Sequence, residues 1–513
     1  MISSQSPVPI RSPIFGPAYM SRAGNLADQE CINLYAEVVE TKTGKEIGAL
    51  YGTPGLTLQA TLGNGPIRGM HVANLATGAP NTVSAGPLLY VVSDTSLYSL
   101  DSSFNQTFLG SGIGTDPGQT GGQGGYLWSL QNIQPGFSII SLPFTPTNSD
   151  TFVTMADNGF DLAVFVGMTI AQLDGFGLIN QPGTYNFFQS NEVDFSNWPA
   201  LQFAQASGDP DNISALIQIR REIFVLKQVN SEVWNNVGTP NFTFAREQGP
   251  YMEGGCLSPA SLAKLGETFF FLAKNRQGES VVVKLIGYNF QRVSTHAIER
   301  EIQSWPDKGA SAVGFSYQQE GHVFYVLSST LGDQTWVYDD TTSALAGVPM
   351  WHQREAYDPN PSVLTRHWAN NSVSFAGLNL VGDYRNGNIY SYDLSNYTDN
   401  GNQKIWTRSY RALPQRTGKI VKFYSLSLDM ETGIGVPAGA NPQVQLTWSD
   451  DGGHTWGPIL MRAAGATGAT SQRVKFNRLG ALKAADGYDR IFKISSSDQF
   501  QAAIIGSLIE TGQ

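Results

Sequence analysis

The feature of this sequence that most constrains its fold is a recurring pair of short apolar runs separated by a polar turn. Such a pair predicts the two strands of a β-hairpin. Successive pairs begin at residues 88, 151, 222, 268, 322 and 378, so they recur at intervals of 46 to 71 residues. The paired runs are residues 88–93 and 96–100, 151–156 and 162–166, 222–227 and 231–234, 268–273 and 280–285, 322–328 and 335–338, and 378–383 and 388–392.

This spacing indicates how the hairpins are arranged. Units that recur roughly every 40 to 50 residues are typical of propeller blades, because each small sheet needs neighbours to bury its faces. The intervals here are longer and uneven, which indicates loops inserted between blades. We therefore predict an all-β protein, with a β-propeller of about six irregular blades and a smaller C-terminal β domain. A sandwich of unrelated hairpins is the alternative that the spacing leaves open.

Composition supports this fold class and argues against a nucleic-acid-binding surface. Aromatic residues make up 11% of the 513 residues, and 55 glycines and 26 prolines supply turns. Disordered chains contain few aromatic residues, and a coiled coil would be rich in Ala, Glu, Lys, Leu and Arg. The formal net charge of −10 argues against a surface that neutralises nucleic-acid phosphates, because such a surface needs clustered Lys and Arg.

The sequence shows neither a membrane helix nor a signal peptide. No run approaches the ~18 consecutive apolar residues that a membrane helix needs. Residues 1–17 are rich in proline and contain no apolar core of a secretory signal. We therefore expect a protein that is made in a cytoplasm and is not inserted in a membrane.

Shifts in local composition divide the chain into three parts. We predict an extended N-terminal arm and docking segment at residues 1–60, the propeller at 61–417, and the C-terminal β domain at 418–513. The last part is either sandwich-like or completes the propeller. Residues 110–125 contain eight glycines but lack the Gly-Lys-Ser/Thr of a phosphate loop. They are expected to form a surface loop before a strand at 126–128.

Helix is scarce, and one segment has helical periodicity. Ile298, Ile302 and Trp305 recur at helical spacing and would share one face. Thr295 can cap the start of this helix, and Pro306 would stop it. We interpret residues 296–305 as a connector packed on the sheets.

The search for catalytic and binding motifs is negative. The sequence contains no Gly-x-Ser-x-Gly elbow, no His-Glu-x-x-His and no Cys-x-x-Cys. Its six histidines show no metal-ligand spacing, and Cys31 and Cys256 are too few for a disulfide framework. Its 42 Asp and Glu residues are too many for sequence alone to identify an acid–base pair. We therefore predict no catalytic, cofactor-binding or metal-binding residues.

One segment matches a known motif at every defined position. Residues 449–456, SDDGGHTW, fit the Asp-box pattern at Ser449, Asp451, Gly453, Thr455 and Trp456. The pattern predicts a tight hairpin in which Asp451 accepts hydrogen bonds from turn amides, Gly453 has a positive φ and Trp456 packs under the turn. Sialidases repeat this box in several propeller blades, whereas it occurs once here. We interpret it as a structural turn.

Short motifs in a fixed order along the chain resemble one protein family. They are CINLYAE at 31–37, YGTPGL at 51–56, SNWPAL at 196–201, GDPDNI at 208–213, RRE at 220–222, SEVW at 231–234, EGGC at 253–256, STHAIE at 294–299, the Asp-box hairpin and RLG at 478–480. In this order, over more than 400 residues, they resemble the packaged-DNA stabilisation proteins of short-tailed bacteriophages, which form the tail hub or nozzle. The uneven blade spacing and the Gly-rich insertion depart from a simple pattern.

The resemblance implies a structural protein of the virion tail. It implies a propeller subunit assembled with itself into a ring, expected to be six-fold, below the portal and a head-to-tail adaptor protein. Such a ring continues the channel for double-stranded DNA, helps retain the packaged genome and offers sites for tail fibre, spike or needle proteins. The family has no catalytic residues to carry over. The acidic balance suits a conduit, because carboxylates facing the lumen would repel phosphates.

The N-terminal region is the predicted docking segment. Fixed φ angles and missing N–H groups keep a proline-rich stretch from folding alone, so we expect an extended arm that docks on a neighbour or on the adaptor. Pro13 and Pro17 are its candidate docking residues, and Asn33, Leu34 and Tyr35 are candidates for assembly packing.

Two other functions stay open. A tail-associated glycan hydrolase would fit the propeller and the Asp-box, and predicts sugar release that is lost when one or two carboxylates are replaced. A propeller that binds a host glycan or receptor without cutting it predicts saturable binding to host cells.

Overall fold

The computed structural model is an all-β protein with two short helices, a β-propeller and a C-terminal β-sandwich, which confirms the predicted fold class. The structure describes the chain except for residues 1–7, 23–26, 42, 64, 74–86, 95, 112–118, 124–125, 131–168, 182, 193–198, 200, 210, 250–251, 275–276, 361, 414–419, 483–489 and 513. Among the described residues, no helix is long and apolar enough to cross a membrane.

Five self-contained sheets of four to six strands form blades of the propeller in the described part of the chain. The first blade contains β8 (Ile67–Ala73), β9 (Leu88–Ser93), β10 (Ser96–Leu100) and β11 (Gln106–Ser111). The second contains β14 (Ile170–Leu173), β15 (Phe176–Asn180), β16 (Asn186–Gln189) and β17 (Phe203–Gln205). The third contains β18 (Ile213–Ile219), β19 (Glu222–Lys227), β20 (Asn230–Asn236), β21 (Phe244–Arg246) and β22 (Met252–Glu253). The fourth contains β23 (Gly255–Cys256), β24 (Ala263–Leu265), β25 (Thr268–Lys274), β26 (Ser280–Ile286) and β27 (Asn289–Arg292).

The fifth sheet, which we call the closing blade, combines strands from distant parts of the chain. It contains β34 (Ala369–Phe375), β35 (Leu378–Asp383), β36 (Asn388–Asp393), β7 (Gly55–Thr61), β37 (Thr398–Asp399) and β38 (Asn402–Gln403). The N-terminal strand β7 pairs antiparallel with β36, from Asn388↔Thr61 to Asp393↔Gly55. A strand from near the start of the chain therefore completes a blade formed some 300 residues later.

A nine-stranded sheet, which we call the bridging sheet, runs from the propeller into the sandwich. Its order is β28 (Val313–Gln319), β29 (His322–Ser329), β30 (Gln334–Asp339), β31 (Met350–Gln353), β4 (Cys31–Ile32), β39 (Trp406–Arg411), β45 (Ile491–Ser496), β41 (Gln443–Ser449) and β42 (Leu460–Ala463). Its first strand contacts β24 of the fourth blade and β34 of the closing blade. The first four strands of the bridging sheet therefore lie against two of the blades. The described residues form five self-contained blades, so the predicted number of six is approximate.

A seven-stranded sheet forms the other layer of the sandwich. It contains β43 (Val474–Asn477), β40 (Val421–Met430), β46 (Ala503–Gly512), β6 (Gly48–Gly52), β5 (Leu34–Val38), β1 (Val8–Arg11) and β44 (Ala481–Leu482). The largest apolar cluster lies here, and it joins side chains of the sandwich to Trp336, Tyr338 and Trp351 of the bridging sheet. The two domains therefore share one continuous core.

Three two-stranded sheets and two helices complete the described residues. The strand pairs are β2 (Tyr19–Met20) with β3 (Asp28–Gln29), β12 (Gln119–Gln123) with β13 (Tyr126–Leu130), and β32 (Glu355–Asp358) with β33 (Val363–Arg366). The helices are α1 (His296–Ser304) and α2 (Asp340–Ala346), and a short 3-10 turn spans Pro259–Ser261. The predicted helix is confirmed, because Thr295 caps α1 through its hydroxyl, and Ile298, Ile302 and Trp305 are buried.

Aromatic contacts hold neighbouring blades together. Ring centroids of side chains from adjacent sheets lie 4.8 to 6.1 Å apart, the range in which aromatic pairs attract. The pairs are Phe187–Trp234, Phe224–Phe269, Phe270–Tyr325, Tyr317–Tyr392 and Phe375–Phe104. The high aromatic content of the sequence is therefore used between the blades.

The structure tests five of the six predicted hairpins. Both strands of each lie within observed strands of the first, third, fourth and closing blades and of the bridging sheet. The hairpin predicted at residues 151–166 lies outside the described residues, as does the boundary predicted near residue 417. The Gly-rich stretch is partly different from the prediction, because β12 lies within it and pairs with β13. Glycine is compatible with a strand when a neighbouring strand satisfies its backbone hydrogen bonds.

Candidate functional site

The N-terminal segment, residues 8–20, is bound to the sandwich of its own chain. Strand β1 pairs antiparallel with β46 at the edge of the seven-stranded sheet. The Ser12 hydroxyl donates to the Ala412 carbonyl over 2.9 Å, and the Ala18 amide donates to the Trp351 carbonyl over 2.7 Å. Ile14 is buried in the sandwich core. The segment therefore fills a groove where the sandwich meets the bridging sheet.

Arg408 is the main polar contact that holds this segment. Its side chain is fully buried, and Nε donates to the Ile14 carbonyl over 2.8 Å. Nη1 donates to the carbonyls of Pro17, over 3.1 Å, and of Glu30, over 3.3 Å. Burial lowers the pKa of Arg408, and the nearby Cys31 thiol partly offsets this shift. Because an arginine stays charged in proteins, the guanidinium supplies strong donors to carbonyls of a segment whose prolines supply no N–H groups.

The two predicted docking residues of the arm differ in their environment. Pro13 is exposed, and Pro17 is half-buried with its carbonyl held by Arg408. The described part of the arm docks on its own chain, through the pairing of β1 with residues 508–511 of β46 and through donors from Arg408. Docking of the arm on a neighbour or on the adaptor stays a prediction.

Asn33 fastens the next part of the chain to both domains. Its side-chain amide donates to the carbonyls of Glu355, over 2.9 Å, and Ile405, over 2.7 Å, and its Oδ1 accepts from the Glu355 amide over 3.0 Å. Its φ is 55°, a left-handed conformation that Asn tolerates better than most residues. Its backbone bonds Gln353 and Thr53. Asn33, a predicted assembly residue, therefore joins distant segments of its own chain through hydrogen bonds.

Leu34 and Tyr35 lie in two different cores. Leu34 is fully buried in the sandwich cluster, and Tyr35 is buried in the cluster between the bridging sheet and the closing blade. The Tyr35 ring packs edge-on against His322 and Phe324, with centroids 5.2 and 5.7 Å away. These residues therefore connect the domains through packing, and a role in contacts with other subunits stays a prediction.

Two buried cations donate hydrogen bonds to the turn between β6 and β7. The Lys404 ammonium donates to the Thr53 carbonyl, and Arg354 Nη2 donates to the Pro54 carbonyl over 2.7 Å. The Arg354 guanidinium also lies over the Tyr392 ring, 4.2 Å from its centroid. Burial lowers the pKa of Lys404 to about 8. This pair fixes the point where the chain leaves the sandwich and enters the closing blade.

A histidine links the propeller to the sandwich at a second point of the junction, the region where the bridging sheet and the closing blade meet the sandwich. His322 Nδ1 lies 2.7 Å from the Asp339 carboxylate, and its Nε2 lies 3.7 Å from the carboxylate of Glu37 on β5. Burial lowers the pKa of His322, but the hydrogen bond and charge of Asp339, together with Glu37, outweigh burial and raise the pKa above its ordinary value. Asp339 also caps α2 by accepting from the Thr342 amide over 3.0 Å.

Hydrogen bonds join four of the Asp-box residues within one turn. Asp451 accepts from the Thr455 amide over 2.8 Å and from the Thr455 hydroxyl over 2.6 Å. The Ser449 hydroxyl donates to Asp451 over 2.7 Å and accepts from the Gly453 amide over 2.9 Å. Gly453 has a φ of 93°. The hydrogen bonds from Thr455 and Ser449 lower the pKa of Asp451 to about 2.

The tryptophan of this turn has a partner outside the hairpin. The Lys493 ammonium lies 4.1 Å from the centroid of the Trp456 ring and forms an ion pair with Glu30 over 2.8 Å. Lys493 lies on β45 of the bridging sheet, and packing of Trp456 under the turn stays a prediction. Glu30 lies on the chain just before β4, so Lys493 connects the hairpin to the N-terminal region that Arg408 holds.

Sequence reasoning identified Asn33 and its neighbours but missed the charged residues that bind the N-terminal region. Arg354, Lys404 and Arg408 carry no motif, and a charged residue is ordinarily expected at the surface. One signal was available, because Arg408 alternates with Trp406 and Tyr410 and so shares a strand face with two large aromatic residues. In the part of the chain that the structure describes, no group of three or more His, Cys, Asp or Glu side chains could hold a metal ion.

Comparison with protein-family models gives two matches to domains of one phage protein. Residues 145–397 match the model described as the β-propeller of bacteriophage P22 Gp10, and residues 407–512 match the model described as its β-sandwich. The matched segments follow each other along the chain and correspond to the two observed domains. No curated protein sequence matches the chain.

Three solved structures match parts of the chain at low sequence identity. The WD40 domain of Neurospora crassa Pan2 is 9% identical with a TM-score of 0.38, and the match covers 66% of this chain and 98% of that domain. The extracellular domain of a putative hybrid two-component system from Bacteroides thetaiotaomicron is 12% identical with a TM-score of 0.40, covering 76% of this chain and 45% of that one. A putative 6-phosphogluconolactonase from Bacteroides uniformis is 10% identical with a TM-score of 0.35, covering 65% and 94%.

Proposed function

Because this chain belongs to the bacteriophage P22 Gp10 family and is thus a phage structural tail protein, we propose that it forms the tail hub or nozzle ring of a short-tailed virion. The observation that carries the proposal is the pair of family matches, in which propeller and sandwich of one protein occur in order on one chain. The ring continues the DNA channel below the portal and adaptor, helps retain the packaged genome and conducts it at ejection.

The way in which the propeller is connected to the sandwich supports a mechanical role for this subunit. The bridging sheet passes hydrogen bonds without interruption from the propeller strand β28 to the sandwich strand β42. The N-terminal region adds β4 to that sheet, β5 and β6 to the sandwich and β7 to the closing blade. A subunit whose domains share strands in this way resists relative movement of those domains. A ring that confines DNA under pressure needs such resistance.

We further propose the partners of this ring. It consists of copies of this chain, expected to number six, bound to a head-to-tail adaptor and to fibre, spike or needle proteins. Double-stranded DNA passes through without sequence-specific binding, and the net charge of −10 favours a lumen that repels phosphates. The protein has a structural rather than an enzymatic role, and it is assembled in the host cytoplasm before it becomes part of the virion.

Electron cryomicroscopy of purified tails tests this proposal. We expect the chain as a symmetric ring around the DNA axis, between the adaptor and the tail tip. A peripheral appendage, or absence from the particle, would overturn the proposal. An appendage would favour the glycan-directed alternatives, which sugar-release and host-binding assays distinguish.

Binding of DNA to the purified protein is a second test. A conduit that repels phosphates should bind duplex DNA weakly at physiological salt. Micromolar or tighter binding that weakens steeply as salt is added would contradict an acidic lumen, because such a salt dependence reports cations that neutralise phosphates.

A further inference from the structure

The junction contains a group of buried polar atoms whose bonding is incomplete, which we call the junction site. It consists of Thr53, Arg354, His367, Asp399 and Lys404, all of them buried. Four of these side chains carry atoms with no hydrogen-bond partner among the described residues: Thr53 Oγ1, Arg354 Nη1, His367 Nδ1 and both carboxylate oxygens of Asp399. Buried polar groups in folded proteins are nearly always paired, with protein or with ordered water.

These groups meet around one turn. Lys404 and Arg354 donate to the consecutive carbonyls of Thr53 and Pro54, and Asp399 is paired in register with Leu56, two residues further along. Burial raises the pKa of Asp399, and the charges of Lys404 and Arg354 partly offset this shift. The same two cations act with burial to lower the pKa of His367 well below its ordinary value, so its ring is neutral. Yet neither cation forms a hydrogen bond to the Asp399 carboxylate. The carboxylate and the two cations are therefore neighbours that do not touch.

Three of the five members are already held by hydrogen bonds to other groups, which limits how far they can rotate towards the unpaired atoms. Arg354 is held by Pro54, and Lys404 by the Thr53 carbonyl. His367 Nε2 lies 3.2 Å from the Tyr392 hydroxyl. An unpaired ion in a protein interior is strongly unfavourable, so the site needs a small occupant that completes these hydrogen bonds.

We propose that the junction site encloses ordered water, which bridges the Asp399 carboxylate to Lys404 and Arg354 and accepts or donates a hydrogen bond at Thr53 Oγ1. The chemistry selects water over an ion. Asp399 repels an anion, and Lys404 and Arg354 repel a metal cation. Water can donate to the carboxylate and accept from the cations, and buried waters typically make about three such bonds.

The occupant has a structural consequence that goes beyond the proposed function and does not depend on it. Thr53 belongs to the turn between β6 and β7, Asp399 to β37 and Arg354 to the residue after β31. The bridging water therefore joins the N-terminal turn, the closing blade and the bridging sheet at one buried point. A water-mediated bond is nearly as favourable as a direct one.

A structure of the full-length protein at a resolution that shows ordered water tests the proposal directly. We expect at least one water peak within hydrogen-bond distance of an Asp399 oxygen and of Lys404 Nζ or Arg354 Nη1. A direct Asp399–Lys404 or Asp399–Arg354 ion pair with no peak between the groups would overturn it. An anomalous peak in the site after bromide soaking would also overturn it, because the occupant would then be an anion.

The isosteric variant Thr53→Val is a second test that does not depend on a map. If Thr53 Oγ1 bonds water, removing it should raise the unfolding equilibrium constant about fivefold. If the hydroxyl is buried without a partner, its replacement by a methyl group of the same shape would leave that constant unchanged or lower it, and the proposal would be wrong. Thr53→Ser, which keeps the hydroxyl, serves as the matched variant and should retain the water peak.

Discussion

Replacing Arg408 by Met should release the N-terminal segment from the sandwich. The substitution keeps a long flexible side chain but removes donors to the carbonyls of Ile14, Pro17 and Glu30. Hydrogen bonds from charged groups contribute roughly 1.5 to 3 kcal/mol each, and the loss is reduced because a buried charge disappears with them. A net loss of about 3 kcal/mol, at the lower end of the range for breaking a buried charged contact, is the expected result.

Hydrogen–deuterium exchange measures this loss where it occurs. A change of about 3 kcal/mol raises the opening equilibrium of residues 8–20 by roughly two powers of ten. The amides of Ser12 and Ala18, which bond to Ser507 and Trp351, should exchange faster by that factor. Residues 222–236 in the third blade should keep their protection, because local openings differ in free energy across a structure.

Arg473→Met is the matched control, because Arg473 is an exposed arginine on the same domain. It should leave exchange at residues 8–20 unchanged. A change of less than threefold in the Arg408 variant would refute the reasoning, since other donors would then be satisfying the carbonyls. Loss of protection at residues 222–236 would refute it too, because Arg408 would then support the whole fold rather than one segment.

Three further predictions follow from other parts of the structure. The raised pKa of His322 means that its ion pair with Asp339 stabilises the fold fully below pH 6.5, and that this contribution is lost as pH rises through the folded-state pKa. The free energy of unfolding should therefore fall over that pH window. The variant His322→Gln should remove this dependence of the free energy of unfolding on pH. Gly387→Ala would drive a methyl group into the backbone carbonyl oxygen of Leu62, next to β7, so chemical denaturation should show that the free energy of unfolding falls by at least about 1 to 3 kcal/mol. The matched variant Gly52→Ala would place its methyl group 3.4 Å from the nearest atom, so it should cost much less. Asp451→Ala removes the acceptor of the Thr455 bonds, so proteolysis should increase within the Asp-box hairpin alone; cleavage elsewhere would contradict a local role.

The elements that sequence analysis found are those with local signals. The strands at residues 88–93 and 96–100 are found within their observed bounds, because apolar runs and turn residues lie next to each other in the chain. The short helix α2 was missed, since its seven residues are too few to show a helical period. The second blade was missed as a unit, although Asp174 and Gly175 form its first turn with positive φ angles, a recognisable hairpin signal.

The pairing of the N-terminal region with distant strands could not be predicted from the sequence. The described residues between 8 and 60 supply strands to the sandwich, the bridging sheet and the closing blade. Gln59, for example, bonds Ser391 across 332 positions of sequence. Such pairings leave no periodic mark, because an edge strand that completes a distant sheet looks like any other short apolar run.

The blade hairpins and the turn at residues 449–456 are local features that can be read from the sequence alone. In that turn, every hydrogen bond of Asp451 joins residues at most four positions apart, so the residues that make the contact also carry its signal. The burial of Arg354, Lys404 and Arg408, in contrast, depends on the tertiary structure. Their acceptors at Pro54, Thr53 and Ile14 lie 300, 351 and 394 positions away. A charge can be buried only where such partners are supplied, and their position depends on how the whole chain closes on itself.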